Sequence, residues 1–587
     1  MKLVIAEKPS VAFAIARALN VSGKKDGYIE NNEYVISWCV GHLVALAEPQ
    51  EYDEKYSKWN YSDLPIIPDN FKYKIYGDKN KQFKVIKSLM QRKDITEVVN
   101  ACDAGREGEL IFRLVYNMTN CKKPIKRLWI SSMENTAIRE GFNNLKDGSN
   151  YDNLYYSALC RMWADWLVGI NATRLFSLLY RKTLNIGRVQ TPTLALLCDR
   201  HNKISFFKKE KYYTVSINIG NVKATSDKIH DVETAEKIKT ACETSQAVCV
   251  AVKKVQKKEM PPKLFDLTSL QRSSNKLFGY TAQQTLDYAQ SLYEKKLITY
   301  PRTDSRYLTD DMTETVTKVI ELSAKVPPFN KVSAFISDIS LVINNDKVSD
   351  HHAIIPTVEI ANADIQNLPS GELNILQLII CCLMCSVAEP YIYELSEYVF
   401  ECGGTQFKAK GKNDVSLGYI AIEKLLQKSA DKKPEKLIPN FYKGQGYAGV
   451  TAEIEEKYTQ PPKPYTEDSL LSAMETAGAK ETTDNAEHKG LGTPATRAGI
   501  IEKLVKTGFA ERNGRQITPT KNGILLVSVL PDTLISPSLT SEWENKLSEI
   551  AKGRTNSKEF MNDISKMLTE LVKKYPFVKD RQDIFEK

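Results

Sequence analysis

Three carboxylates stand where apolar strand patterns give way to helical ones. Glu7 closes the run Leu3–Ala6, while Asp103 and Glu107 flank a turn after Glu97–Cys102, in Asp103-Ala-Gly-Arg-Glu107-Gly-Glu109. If the two strands are neighbours, the three acids converge at one edge of the sheet, where open α/β sheets collect their chemistry. Clustered carboxylates repel one another. A hard divalent cation with oxygen ligands relieves that repulsion, and Mg²⁺ there would sit beside a phosphate. The competing reading is an acid in the first turn of a helix that favours the dipole.

A second signal is basic. Residues 171–213 hold nine Lys or Arg against Asp199 and Glu210, interleaved with Phe176, Tyr180, Phe206, Phe207, Tyr212 and Tyr213. Basic groups neutralise phosphates while aromatic faces stack on bases, a mixture suited to single-stranded nucleic acid; the alternative is a solvated helix face. Gly187 stands beside Arg188 and Gln190, where a bare backbone can approach a phosphate. The window matters because the whole chain carries only a net +9, from 81 Lys and Arg against 72 Asp and Glu. No Gly-x4-Gly-Lys-Ser/Thr loop occurs, so ATP is not expected. Cys382-Leu-Met-Cys385 has ligand-like spacing without a second pair, and the eleven cysteines read as buried small hydrophobes rather than a zinc site.

The elements that must position these residues follow from pattern. A chain of 587 residues implies about four domains. With 42% hydrophobic and 26% charged residues it is neither disordered nor collagenous. The longest apolar stretch, Leu378–Ala388, is too short for the ~20 residues that cross a bilayer. Glu7 and Lys8 interrupt what a signal peptide would keep apolar, so a cytoplasmic protein with no membrane association is expected. Within the first 150 residues, strands at Leu3–Ala6 and Glu97–Cys102 each lead into a helix, Val11–Leu19 and Leu110–Met118. A long amphipathic helix is expected over Leu154–Leu179. Pro261-Pro262-Lys263 and Pro461-Pro462-Lys463-Pro464 read as extended linkers. Between Pro494 and Leu530 the pattern is helix, turn at Gly508, hairpin at Asn513-Gly514 and helix, resembling a winged helix.

Met1-Lys-Leu-Val-Ile-Ala-Glu-Lys-Pro-Ser10 together with Ala101–Glu109 closely resembles the Toprim domain that opens type IA DNA topoisomerases, nearest to the bacterial topoisomerase III branch. Lys587 ends the chain without the cysteine-rich modules that topoisomerase I relatives often append, which favours the same branch. The family pattern is Asp-x-Asp-x-Glu, and Gly105 stands at its second Asp. The resemblance therefore implies one weaker Mg²⁺ site on Glu7, Asp103 and Glu107 rather than two. Leu297-Ile-Thr-Tyr-Pro-Arg-Thr-Asp-Ser305 resembles the active-site segment and implies Tyr300 as nucleophile, joined to a 5′ phosphate during the reaction. A phenolate attacking a phosphodiester forms an aryl ester and frees a 3′-hydroxyl. A phenol is a good enough leaving group to reverse the step without ATP. Arg302 would grip phosphate oxygens with its planar fork, and Lys8 would add positive charge to the transition state. Glu7 is either the acid that protonates the leaving 3′ oxygen or a metal ligand only. His351, in Ser349-Asp-His-His-Ala-Ile-Ile-Pro356, matches the family histidine; His352 competes for that place, and a structural histidine is the alternative.

The resemblance extends along most of the chain. Arg161–Asn171 with Arg174 is similar to the family's DNA-groove helix. Asn185, Ile186, Gly187, Arg188, Val189, Gln190 and Thr191 are similar to its DNA-contacting Gly-Arg-Val-Gln segment. Phe265–Gln271 and Gly490–Gly499 match two further motifs, and Trp59 is either a DNA contact or a buried Trp. The implied fold is multidomain α/β plus α, a four-domain torus with a Rossmann-like Toprim domain and winged-helix-like elements. Its divisions are a Toprim domain (1–150), a DNA-groove domain (151–210 plus 465–575), an arch base (211–260 plus 385–460), the Tyr300 domain (263–384) and a tail (576–587). The expected activity is ATP-independent single-strand cleavage, strand passage and religation by a monomer acting on single-stranded DNA. A Toprim primase or nuclease, or a non-enzymatic single-strand-binding protein, is the rival.

Overall fold

The computed structural model describes residues 1–577 apart from 131, 132, 134, 333–336, 349, 350, 427–438 and 479–489. Ser349 and Asp350 of the His351 motif, and most of the expected tail, lie outside the described residues. The N-terminal sheet has the order Gly23–Lys25, Tyr28–Glu30, Tyr34–Trp38, Lys2–Ala6, Glu97–Ala101, Ile125–Arg127, Lys146–Asp147. The four from Tyr34–Trp38 to Ile125–Arg127 in that order are parallel. Lys2–Ala6 sits in the middle, and its apolar run is buried on both faces, as a central parallel strand requires. The register pairs Ala6 with Ala101, so the chain leaves both strands side by side. Glu7 and Asp103 are thereby delivered to one edge.

Each strand exit starts a helix. Pro9 at the first turn of Pro9–Ala18 brings a φ already suited to a helix and no N–H to strand. Arg106–Met118 follows Gly105, and Gly108 lets it press on the turn: a Cβ there would lie 2.1 Å from the Asp103 carbonyl oxygen. The long helix runs from Asp152 to Tyr180, close to its expected bounds. It is not amphipathic. Arg106–Met118, Ser538–Ala551 and Ser557–Lys574 all pack on it, so it is buried on several sides as the spine of the largest core.

A second seven-stranded sheet draws Lys211–Ile219, Val222–Thr225 and Ala247–Glu259 together with strands from 391–416 and 446–458. Both Pro-rich segments are free of helix and strand and lead away from this sheet. Between its two halves in sequence lies the helical body bearing Tyr300, built on Leu267–Phe278, Ala282–Glu294 and Ser370–Ser386. The expected winged-helix pattern is present as helix Pro494–Lys506, strands Ala510–Asn513 and Gln516–Pro519, and helix Lys521–Val529. Gly508 and Gly514 take positive φ of 74° and 60° at its turns. All eleven cysteines are buried and unbridged. Among the described residues no helix is long and apolar enough to cross a membrane.

Candidate active site

Tyr300 lies 197 residues from Asp103 in sequence, yet its hydroxyl donates to Asp103 Oδ2 at 2.6 Å. The helical body is therefore seated with its tyrosine on the acidic edge of the first sheet. Glu7 Oε2 accepts the Asp103 N–H at 3.3 Å, so the two carboxyls share one small space. Tyr300 is only 8% exposed. Tyr293 meets its ring edge-on at 5.4 Å, and the His351 ring lies 4.4 Å away. Behind Tyr300 and Asp103 is a cavity of about 20 Å³ walled by Val11, Ile15, Leu128 and Met133. It has room for a water and none for a nucleotide. The site is closed.

Burial governs the ionisation of these groups. The Glu7 carboxyl is pushed up to about 8, first by burial and then by the charge of Asp103, with Lys8 and Arg302 pulling it back. Burial and the same two acids lift the Tyr300 phenol well above its usual value. Burial and the Arg302 charge lower Lys8. Burial brings His351 down to about 4, so its ring is neutral at physiological pH. His352, the competing histidine, spends Nδ1 on the neighbouring Ala353 carbonyl.

A test follows from the Glu7 shift. A carboxyl whose folded pKa is raised holds its proton more tightly folded than unfolded. Its contribution is present below 4.5 and is lost as pH rises through about 8. In chelator-treated buffer, Glu7→Gln should flatten the melting temperature against pH between those values and be the more stable protein above pH 8. Parallel profiles would show that Glu7 ionises normally.

Glu107 turns its Oε1 to His42 Nε2 at 2.5 Å, and no group of three His, Cys, Asp or Glu among the described residues is placed to hold a metal ion. Glu7 and Asp103 are the two carboxyls that share one space here, and Glu107 is engaged by His42. The pair still fits a hard cation: both donors are oxygens, and their mutual repulsion is what a divalent charge would offset.

The residues expected to contact DNA divide by burial. Trp59 is partly exposed, and the Arg174 guanidinium lies 5.4 Å from its ring. Arg161, Asn185, Gly187 and Val189 are half-buried. Asn171 is buried and bonds the Ile66 backbone in both directions. Ile186, Gln190 and Thr191 are buried too, and Thr191 Oγ1 accepts the Gly187 N–H. Arg188 points inward, its Nε 2.8 Å from Asp165 and its Nη2 3.2 Å from Glu544. The basic window is therefore no continuous surface stripe in this closed state: part of its charge is matched inside, and Lys208 and Lys209 beside Phe206 stay exposed.

Sequence reasoning passed over Tyr293, His42 and the buried pair Arg127 and Glu109. None of them leaves a local mark: Glu109 ends the charged stretch Arg106–Glu109, and Arg127 follows Lys126.

A tyrosine from a separate helical body thus closes the acidic edge of a Toprim-like sheet. The Toprim domain model matches residues 2–133, and a DNA topoisomerase model matches 149–562. DNA topoisomerase 3 of Bacillus subtilis is 39% identical, over 97% of this chain and 81% of its own length. That of Staphylococcus epidermidis is 40% identical with the same coverage. Full-length topoisomerase I from Thermotoga maritima shares the fold, with a TM-score of 0.74 at 24% identity over 99% of this chain and 91% of that one. The chain belongs to the type IA DNA topoisomerase family.

Proposed function

We propose that this enzyme cuts one DNA strand with Tyr300, holds the 5′ phosphate, passes another strand or a duplex through the gap and reseals it. The observation that carries the reading is the Tyr300–Asp103 hydrogen bond across two bodies of the protein. In the forward step the Tyr300 oxygen bonds to phosphorus as the P–O3′ bond breaks. The phenolic proton faces Asp103, which can take it, and protonated Glu7 supplies one to the departing 3′ oxygen. Religation runs the same transfers backwards and needs no ATP. Arg302 and Lys8 stabilise charge on the phosphate. Neutral His351 packs against the nucleophile and orients it.

Mg²⁺ needs only one or two carboxylates beside water and phosphate oxygens. Asp103, with Glu7 when unprotonated, would hold it, and it would neutralise charge next to the phosphate. Gly105→Asp, which restores a family carboxylate, should lower the half-saturating Mg²⁺ by about threefold or more; an unchanged requirement would mean the position is idle.

Strand passage requires the Tyr300 body to lift. Its seam with the 465–575 segment carries polar bonds, among them Arg272 to Asp468 at 2.8 Å, Arg497 to Thr268 at 2.7 Å and Glu467 to the Ala282 N–H at 2.5 Å, beside an apolar contact in which Ala282 joins the core of Leu470 and Met474. We assign the strand path to Trp59, Arg161, Arg174 and the Asn185–Thr191 turn, whose buried members act by shaping it. The torus and the domain divisions given above belong to the same proposal, as do a monomer and a reducing cytoplasm that keeps the cysteines free. Incubation with Mg²⁺ and negatively supercoiled plasmid, without nucleotide, should yield relaxed topoisomers, and singly linked nicked circles should separate. Nicked or linear product with no change in linking would instead identify a nuclease.

A further inference from the structure

Arg127 closes the strand Ile125–Arg127, and its side chain is wholly buried. Its guanidinium is spent on the turn that carries Asp103. Nη1 donates to the carbonyl oxygens of Asn100 at 3.1 Å, Cys102 at 2.7 Å and Leu128 at 2.9 Å, and Nη2 donates to that of Asp103 at 2.7 Å. Nε lies 3.2 Å from Glu109 Oε2. The same Glu109 oxygen accepts Asn100 Nδ2 at 2.8 Å, and Asn100 Oδ1 accepts the Cys102 N–H at 3.0 Å. Trp129 and Tyr151, stacked on each other, cover the guanidinium at 5.0 and 6.0 Å. One planar fork thus joins the carbonyls of Asn100, Cys102 and Asp103 where the strand ends, and that of Asn100 also accepts the Leu128 N–H at 2.9 Å.

We propose that Arg127, held by Glu109, is a positioning residue for the cleavage site: it fixes the backbone of the Asp103 turn so that the carboxylate meets Tyr300 and Glu7. This rests on the proposed role of Asp103. A buried ion pair contributes little net stability and is costly to break. The distinguishing feature here is where the hydrogen bonds go. A Lys at 127 keeps the charge but offers a single nitrogen, which cannot span the set of carbonyls that the fork reaches. Arg113 supplies the control, because it also pairs with Glu109, at 2.9 Å, but its other donors go to Gly148 and Asp152, away from the turn.

The experiment compares Arg127→Lys, Glu109→Gln and Arg113→Lys with the unaltered enzyme. Covalent adduct formation on single-stranded DNA is measured against Mg²⁺ concentration, and amide exchange of residues 100–104 is measured without metal. Thermal melting and metal-free DNA binding complete the set. Arg127→Lys should slow adduct formation by about tenfold or more and raise the Mg²⁺ midpoint, with faster exchange at 100–104 and unchanged DNA affinity. Glu109→Gln should move all three in the same direction by less. Arg113→Lys should leave the Mg²⁺ midpoint and the exchange within about twofold, whatever its loss in melting temperature. The proposal is overturned if adduct loss in the three variants merely follows melting temperature while midpoint and exchange stay fixed. If Arg127→Lys does not fold, the Glu109→Gln result decides alone. Absence of adduct in the unaltered enzyme would defeat the proposed function instead, a separate outcome.

Discussion

Tyr300→Phe should fold, bind single-stranded DNA as the unaltered enzyme does, and form no covalent adduct. Removal of a nucleophile that nothing replaces should reduce adduct formation and relaxation by at least about 10⁴-fold. The substitution deletes one oxygen and leaves the ring, so the packing against Tyr293 and His351 survives. What it releases is the Asp103 hydrogen bond. Two effects on stability then act in the same direction: a buried bond is lost, and Asp103 is left with less compensation. The melting temperature should fall by a few degrees and no more, while activity disappears. A Phe variant that still forms adduct would remove Tyr300 from the mechanism.

Arg302→Ala should be the second most damaging change, lowering adduct formation by about 10²–10³-fold. Among the described residues the buried Nε of Arg302 has no hydrogen-bond partner, so one donor is held unspent. Its charge also moderates its neighbours: it opposes the rise in Glu7, and it depresses Lys8. Without it, Glu7 should titrate at still higher pH and Lys8 should hold its proton more firmly. The alkaline limb of the cleavage profile should therefore move upward even as the rate drops. Arg302→Lys, which keeps the charge and loses the fork, should recover part of the rate. Equal loss in both variants with no movement of the limb would mean that the fork, and not the charge, is what Arg302 contributes.

What the sequence revealed and what it concealed divide along physical lines. Strand periodicity and the acids at strand ends were legible because both are local, and parallel pairing of Lys2–Ala6 with Glu97–Ala101 then placed Glu7 beside Asp103. The helix over Asp152–Tyr180 and the hairpin at Asn513-Gly514 were legible for the same reason. That helix is not amphipathic, since at the centre of a core its polar residues, such as Asn171, find buried partners. The contact of Glu107 with His42 is not legible in the sequence, because the two are 65 positions apart. Arg188, in the basic window, pairs inside with Asp165 and with Glu544, and the second partner is 356 residues on. Long-range polar pairing is invisible to periodicity, and in this enzyme it decides which charges remain for DNA.

The central claim is that Tyr300 becomes bonded to a 5′ phosphate while the other end leaves as a free 3′-hydroxyl. Single-stranded DNA labelled at one end or the other, incubated with enzyme and Mg²⁺ and then denatured, tests it directly. Label at the 3′ end should travel with protein, in the peptide that contains Tyr300, and label at the 5′ end should appear on a shortened free strand. Protein carrying the 5′-end label, a labelled peptide without Tyr300, or cleavage with no label on protein would contradict it.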